Sequence, residues 1–229
     1  MTVKRAFAAG LVFVLMLACS GKALCGPIHN AVRKGDQAKV IELLKQNPDL
    51  VSSRDSLGKT PLHIAAQHDQ TAIAALLLAN GADVNAQVQV ARPFDFGGET
   101  HQGETPLTLA LLSYHHKEMV ELLVTHGADV NVMLNTVATP LLRAIEQNLP
   151  DDALLLLANG ANPDRQHWNG QTMVHLAVQQ GRSVILKMLL DYGADPNAKD
   201  DNGHTPMFYA PDNPHDRIVL LLRKYGGHR

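Results

Sequence analysis

Every 33 or 34 residues this chain begins the same short phrase again, and that regularity limits what it can fold into more than any other property. Aligned on one start, it reads GPIHNAV from Gly26, TPLHIAA from Thr60, TPLTLAL from Thr105, TPLLRAI from Thr139, TMVHLAV from Thr172 and TPMFYAP from Thr205. The starts are 34, 45, 34, 33 and 33 residues apart. A second register agrees, with GADVN at Gly81 and Gly127, GANPD at Gly160, GADPN at Gly193 and a closing YGG around Gly226. A period of this size marks a stack of small units, each of which contacts only its neighbours.

The parts of one unit have physical reasons. Threonine followed by proline opens a helix, because the hydroxyl accepts from an orphan N–H and proline at the first helical position forfeits no hydrogen bond. About nine residues later comes a polar break, as in QHDQ at 67–70 and QQGRS at 179–183. A second, apolar helix follows, as in TAIAALLLANG and SVILKMLLDYG, and glycine ends it in the left-handed conformation that a helix C-terminus favours. Two short helices cannot bury their apolar faces alone, so neighbouring units must cover them. With 45% hydrophobic residues but only 4% aromatic, alanine and leucine must fill that core. A formal charge of -2 supplies no basic field for nucleic acid.

TPLHIAA followed by LLLANGADVNA resembles the ankyrin repeat, over residues 26–229. The resemblance implies an all-α ankyrin-repeat solenoid of six helix-turn-helix repeats, at about 26–54, 55–86, 100–132, 133–164, 165–198 and 199–229. It also implies hairpin-like loops projecting from the helix pairs, a concave face of first helices and loop tips, and a protein-binding module without catalytic chemistry. Some units depart from the pattern. The first lacks threonine and ends in KQNPDLVSS. The fourth has Val137 where the loop glycine belongs, with Leu134 nearby. The last has Pro211 and Pro214 directly after its first helix and is expected to be a turn shorter there.

Residues 1–25 read as an export signal, since Lys4 and Arg5 precede thirteen apolar residues from Ala6 to Ala18, too few for a bilayer-spanning helix of about 20 residues. LMLAC at 15–19 resembles a bacterial lipoprotein box, which would make Cys19 a lipidated first residue and the membrane a partner through that anchor alone. Ordinary cleavage after Ser20, Ala23 or Cys25 is the alternative. Either way the protein is expected in the periplasm, soluble or lipid-anchored, and monomeric when unbound. The two cysteines, Cys19 and Cys25, lie in or beside the signal, so no disulfide framework is expected.

Twelve histidines invite a metal reading. His29, His63 and His175 fall at the fourth position of TPLH-type starts, where the resemblance implies hydrogen bonds to the capping threonine and loop backbone; His29 lacks that threonine. His115 and His116 sit together on a turn and would diverge rather than chelate. No HExxH, CxxC pair, GxSxG or phosphate-binding glycine loop occurs. No metal, cofactor or catalytic residue is therefore expected.

Binding positions are those the repeat leaves free: loop tips, the residue after the loop glycine, and the ends of first helices. They point to Trp168, His68, Glu104, Gln171, Gln179, His101 and His204 as partner contacts. Trp168, the single tryptophan, falls at a loop tip in HWNGQT, where burial against a partner would suit a hot spot. The one long step holds twelve additional residues, placed at about 87–99 in QVQVARPFDFGGETHQ. Val88, Val90, Phe94 and Phe96 alternate there as in a strand or hairpin, and insertions in repeats map to projecting loops, so Arg92, Phe94 and Phe96 join the contacts. The expected function is an exported module that binds a protein partner in the cell envelope, as inhibitor or immunity protein of a toxic enzyme. The alternative is an envelope stress-defence accessory that buffers metal or supports a redox enzyme.

Overall fold

The computed structural model describes residues 26–88, 103–112, 117–133 and 138–229. Helix pairs follow one another along it: α1 (Pro27–Arg33) with α2 (Gln37–Gln46), α3 (Pro61–Gln67) with α4 (Thr71–Ala79), and α5 (Pro106–Ala110) with α6 (Lys117–Thr125). Then come α7 (Pro140–Glu146) with α8 (Pro150–Ala158), α9 (Met173–Gln179) with α10 (Ser183–Asp191), and a 3-10 turn (Pro206–Tyr209) with α11 (Arg217–Lys224). Each first helix packs on the first helices of its neighbours and each second helix on the second, giving two layers. Among the described residues there is no strand, and no helix is long and apolar enough to cross a membrane.

The Thr-Pro starts act as the chemistry requires. Thr60, Thr105 and Thr139 cap α3, α5 and α7 through their side chains, with Pro61, Pro106 and Pro140 in the first turn. Such a cap stabilises a helix by about 1 kcal/mol. At the other end, Gly81 (φ +83°) donates to Leu78 O and Ala82 to Leu77 O, both at 3.0 Å. That double bond closes the Schellman motif, and it recurs at Gly127, Gly160, Gly193 and Gly226. A Cβ at Gly127 would meet nothing within 4 Å, so the backbone twist, not lack of room, selects glycine.

The core is small-grained and continuous. Ala65, Ala74, Leu62, Leu77, Leu107, Met119, Leu123, Ala144, Leu156, Ala177 and Leu189 are all buried within one cluster. Alanine on the facing sides lets short helices approach, and leucine fills the gaps between layers. The last unit departs from its predecessors: Pro211 follows the 3-10 turn almost at once, and only four residues of first helix remain, against seven in α9.

Two ladders of polar bonds join one unit to the next. Asn85 donates to Gly127 O (3.1 Å) and accepts from Asp129 N (2.7 Å). Asn131 does the same toward Gly160 O and Asn162 N, and Asn197 toward Gly226 O and His228 N. Asp164 stands in the fourth such place and accepts from Asp195 N at 2.8 Å, but a carboxylate has no N–H to return to Gly193. The second ladder is histidine. Nε2 of His29 bonds Lys59 O, that of His63 bonds Glu104 O, and that of His175 bonds His204 O, each at 3.1 Å.

Candidate partner-binding face

Hairpin tips between the helix pairs obey one hydrogen-bond rule. Asp55 N donates to Lys59 O and Gly58 N to Asp55 O, both at 2.9 Å. The same pair of bonds forms between His167 and Gln171 and between Asp200 and His204. It forms again between Val88 and Glu104: Val88 N donates to Glu104 O (2.9 Å) and Gly103 N to Val88 O (3.0 Å). Val88 therefore occupies the register of Asp55, and the twelve additional residues fall at the tip, between Val88 and Gly103. Arg92, Phe94, Phe96 and His101 lie outside the described residues, as do Cys19, His115, His116, Leu134 and Val137.

The base of this long tip is built into the stack. His63 Nε2 reaches Glu104 O across it, and Arg54 Nη1 spans from Gly58 O (2.8 Å) to Gln87 O (2.7 Å). His63 Nδ1 accepts the Thr60 N–H at 3.1 Å, which fixes the tautomer with the proton on Nε2. Burial holds this imidazole far below the ordinary histidine value, at about 4. His29 is lowered by burial too, against the pull of Asp55. Its Nδ1 has no partner among the described residues, because Gly26 supplies no threonine there.

The C-terminal tips carry a distinct surface. Trp168 opens a 3-10 turn (Trp168–Gly170) and is 63% exposed, its ring 5.1 Å from that of His167. The turn uses Asn169 at φ +60°, a twist asparagine tolerates, and Gly170 at φ +70°. Asp201 N donates to Asn169 O at 2.9 Å, tying this tip to the next. There the His204 ring stacks on Phe208 at 3.7 Å with 3° between planes, and Phe208 remains 55% exposed. Beneath them the Tyr209 hydroxyl donates to Asp200 Oδ2 and also meets the Gln171 side chain. That bond lowers Asp200 and raises Tyr209. Aromatic area left open on linked tips is the composition of an interface hot spot.

The sequence-predicted contacts divide accordingly. Trp168 and His204 share this surface, and Gln171 supports it, half-buried against Tyr209. Gln179 is exposed at the end of α9 and His68 at the end of α3, the latter lowered by its partial burial beside Arg33 and Lys59. Glu104 is a correction. It is only 8% exposed, as is Lys59 at 5% in the same place after a loop glycine, whereas Gln171 and His204, after Gly170 and Gly203, stay half-buried at the surface. Lys59 reaches Gln67 Oε1 from there at 2.9 Å. Phe208 and Tyr209 were missed: they sit where other first helices continue, and only their place in a shortened turn brings them to the rim. The signal was Pro211 two residues on. Among the described residues, no group of three or more His, Cys, Asp or Glu is placed to hold a metal.

Helix pairs stacked in two layers, with hairpin tips tied by histidine and asparagine, define a repeat solenoid. A family model for ankyrin repeats (three copies) matches residues 5–88, 89–167 and 141–228, and the chain belongs to the ankyrin-repeat family. Human neurogenic locus notch homolog protein 1 is 30% identical over 191 residues, 73% of this chain. The chain spans only 7% of that relative's length. The crystal structure of an ankyrin repeat domain from Acinetobacter baumannii superposes with a TM-score of 0.75 at 26% identity, covering 88% of this chain and 98% of that one. A chain from a Bdellovibrio bacteriovorus predatory endopeptidase in complex with an immunity protein gives a TM-score of 0.68 at 24% identity, covering 89% and 99%. At that identity the likeness concerns the fold alone. Ankyrin repeats are protein–protein interaction modules, and this is the function class to which the chain belongs.

Proposed function

We propose that this chain is an exported six-repeat ankyrin module that captures one protein partner in the cell envelope, as the inhibitor or immunity protein of a toxic enzyme. It brings no catalysis of its own. The observation that carries the binding face is two large aromatic side chains more than half exposed, Trp168 on one tip and Phe208 stacked on His204 beside the next, with those two tips hydrogen-bonded to each other. Exposed aromatic side chains close together suit a surface that a partner covers. The extension between Val88 and Gly103, with Arg92, Phe94, Phe96 and His101, is assigned to the same partner. Export rests on the charged-then-apolar leader, with Cys19 as the lipidated residue if the lipoprotein box is read. The immunity role takes its motive from the same fold occurring in a structure of an endopeptidase with an immunity protein.

The test is affinity capture from cell envelopes with the wild-type chain, Trp168→Ala and Phe208→Ala, followed by an activity assay of what is captured. One dominant enzyme, inhibited by the wild type and lost from both variants, is the expected result. Equal capture by all three would refute the assigned face. Several weak partners and no inhibition would replace the inhibitor with a scaffold.

A further inference from the structure

One buried imidazole fastens the Phe208 half of the aromatic face. His175, fully buried in α9, accepts the Thr172 N–H at Nδ1 (3.1 Å), with the Thr172 hydroxyl 3.0 Å away. Its Nε2–H donates to the His204 carbonyl at 3.1 Å. That carbonyl also accepts the Asp200 N–H (3.0 Å) that closes the last hairpin, and the His204 ring is the one stacked on Phe208. The Trp168 hairpin has no such fastener, because Leu142 occupies the corresponding place in α7. We infer that His175 is an acid-sensitive clasp: neutral, it holds the last hairpin and the Phe208 ring pair in position, and protonated it releases them while the Trp168 hairpin stays closed. This concerns regulation of the proposed partner-binding face and rests on that reading for its biological use.

The chemistry follows from donor and acceptor counts. An imidazolium carries N–H at both ring nitrogens, so Nδ1 could no longer accept the Thr172 N–H: its new proton could turn only to the Thr172 hydroxyl oxygen, and the Thr172 N–H would be left without an acceptor inside a site closed to water. The groups around it do not relieve this. Asp200 favours the charged ring electrostatically, yet its carboxylate is occupied by Tyr209 and by the N–H groups of Asn202 and His204. Tyr209 presents its ring 6.0 Å away at 71°, and His204 offers only its carbonyl. On the packed helices, Arg143 pairs with Glu146 in α7 (3.5 Å) and Lys187 with Asp191 in α10. Burial outweighs Asp200, and His175 is held below the ordinary value of 6.5. Opening of the hairpin therefore becomes coupled to proton uptake once the pH falls below that value.

Amide hydrogen exchange of the free protein between pH 7 and pH 5, corrected for intrinsic rates, tests the clasp without any partner. Protection of the Gly203 and His204 amides should fall, by at most about tenfold per pH unit, as the pH drops below 6.5, and more steeply than that of Gly170 and Gln171, whose hairpin carries only the partly buried His167. In His175→Leu, which copies Leu142, the slope should vanish. Level protection at Gly203 and His204 in the wild type would overturn the proposal. So would a slope that survives in His175→Leu, since another group would then carry it. If that variant fails to fold, the wild-type contrast between the two hairpins decides. Failure of partner capture would leave these exchange rates unchanged, so the two readings stand or fall separately.

Discussion

The fourth residue of the repeat start, where it is histidine, ties one unit to the next and makes that hold depend on pH. His63 is neutral in the folded chain down to about 4, whereas an unfolded histidine takes up its proton near 6.5. The folded value is depressed, so the contribution is complete above pH 6.5, drains away as the pH falls from 6.5 to about 4, and is flat below. A shift of that size corresponds to on the order of 3 kcal/mol. The stability advantage of the wild type over His63→Thr, the residue found as Thr108, should therefore shrink by about that much in urea titrations run from pH 7 to pH 4. An advantage independent of pH would show that protonation is not resisted there. Glycine gives a second test. At Gly170, φ is +70° and an added Cβ would lie 2.4 Å from Asp201 Oδ1 and 2.8 Å from Asp201 N. At Gly127 the φ is +85° but space is open. Gly170→Ala should cost about 2–3 kcal/mol and Gly127→Ala about 1 kcal/mol, measured by denaturant unfolding. Equal costs would mean that the tip of Trp168 yields freely.

Between elements, the asparagine ladder has one weak rung. Asp164 accepts from Asp195 N but returns no hydrogen bond to Gly193 O, which Asn85, Asn131 and Asn197 do for their neighbours. Asp164→Asn should restore the missing bond and raise stability by about 0.5–1 kcal/mol, visible as a higher thermal midpoint. No gain would indicate that the carboxylate has a compensating role. Helices, caps and C-terminal glycines were legible in the sequence because each is a local consequence of its own residues: Thr60-Pro61 starts a helix wherever it is placed, and Gly127 ends one. The ladders were not. GADVN repeats visibly, but that Asn85 reaches the Gly127 carbonyl depends on how far apart stacking sets the units. The inward turn of Glu104 was hidden for the same reason, since exposure at a loop is a tertiary property and alternation along the chain does not report it. Phe208 and Tyr209 reached the rim only because the first helix of the last unit stops after a single 3-10 turn.

At the scale of the whole molecule, the stack runs through its long step without interruption. Val88 and Glu104 keep the hairpin bonds, and His63 spans the same gap. Deleting residues 90–101 leaves two residues between Val88 and Gly103, as between Asp55 and Gly58. Combined with Val88→Asp, to supply the carboxylate that Asp55 offers to Leu57 N and Lys59 N, the deletion should leave unfolding cooperative and stability undiminished. Loss of stability would make the extension part of the scaffold. Among the described residues, exposed large apolar side chains occur on hairpin tips and first-helix ends (Leu57, Leu112, Trp168 and Phe208) and also on or just after the second helices (Leu154, Val184, Tyr192 and Leu220). Site-specific photo-crosslinking in living cells separates the two sides most directly. A photoreactive residue placed at Trp168 or at Phe208 should join covalently to a single envelope protein, and the same residue at Leu154 or Val184 should not. Adducts formed equally from both sides, or only from the second helices, would contradict the binding face proposed for this solenoid.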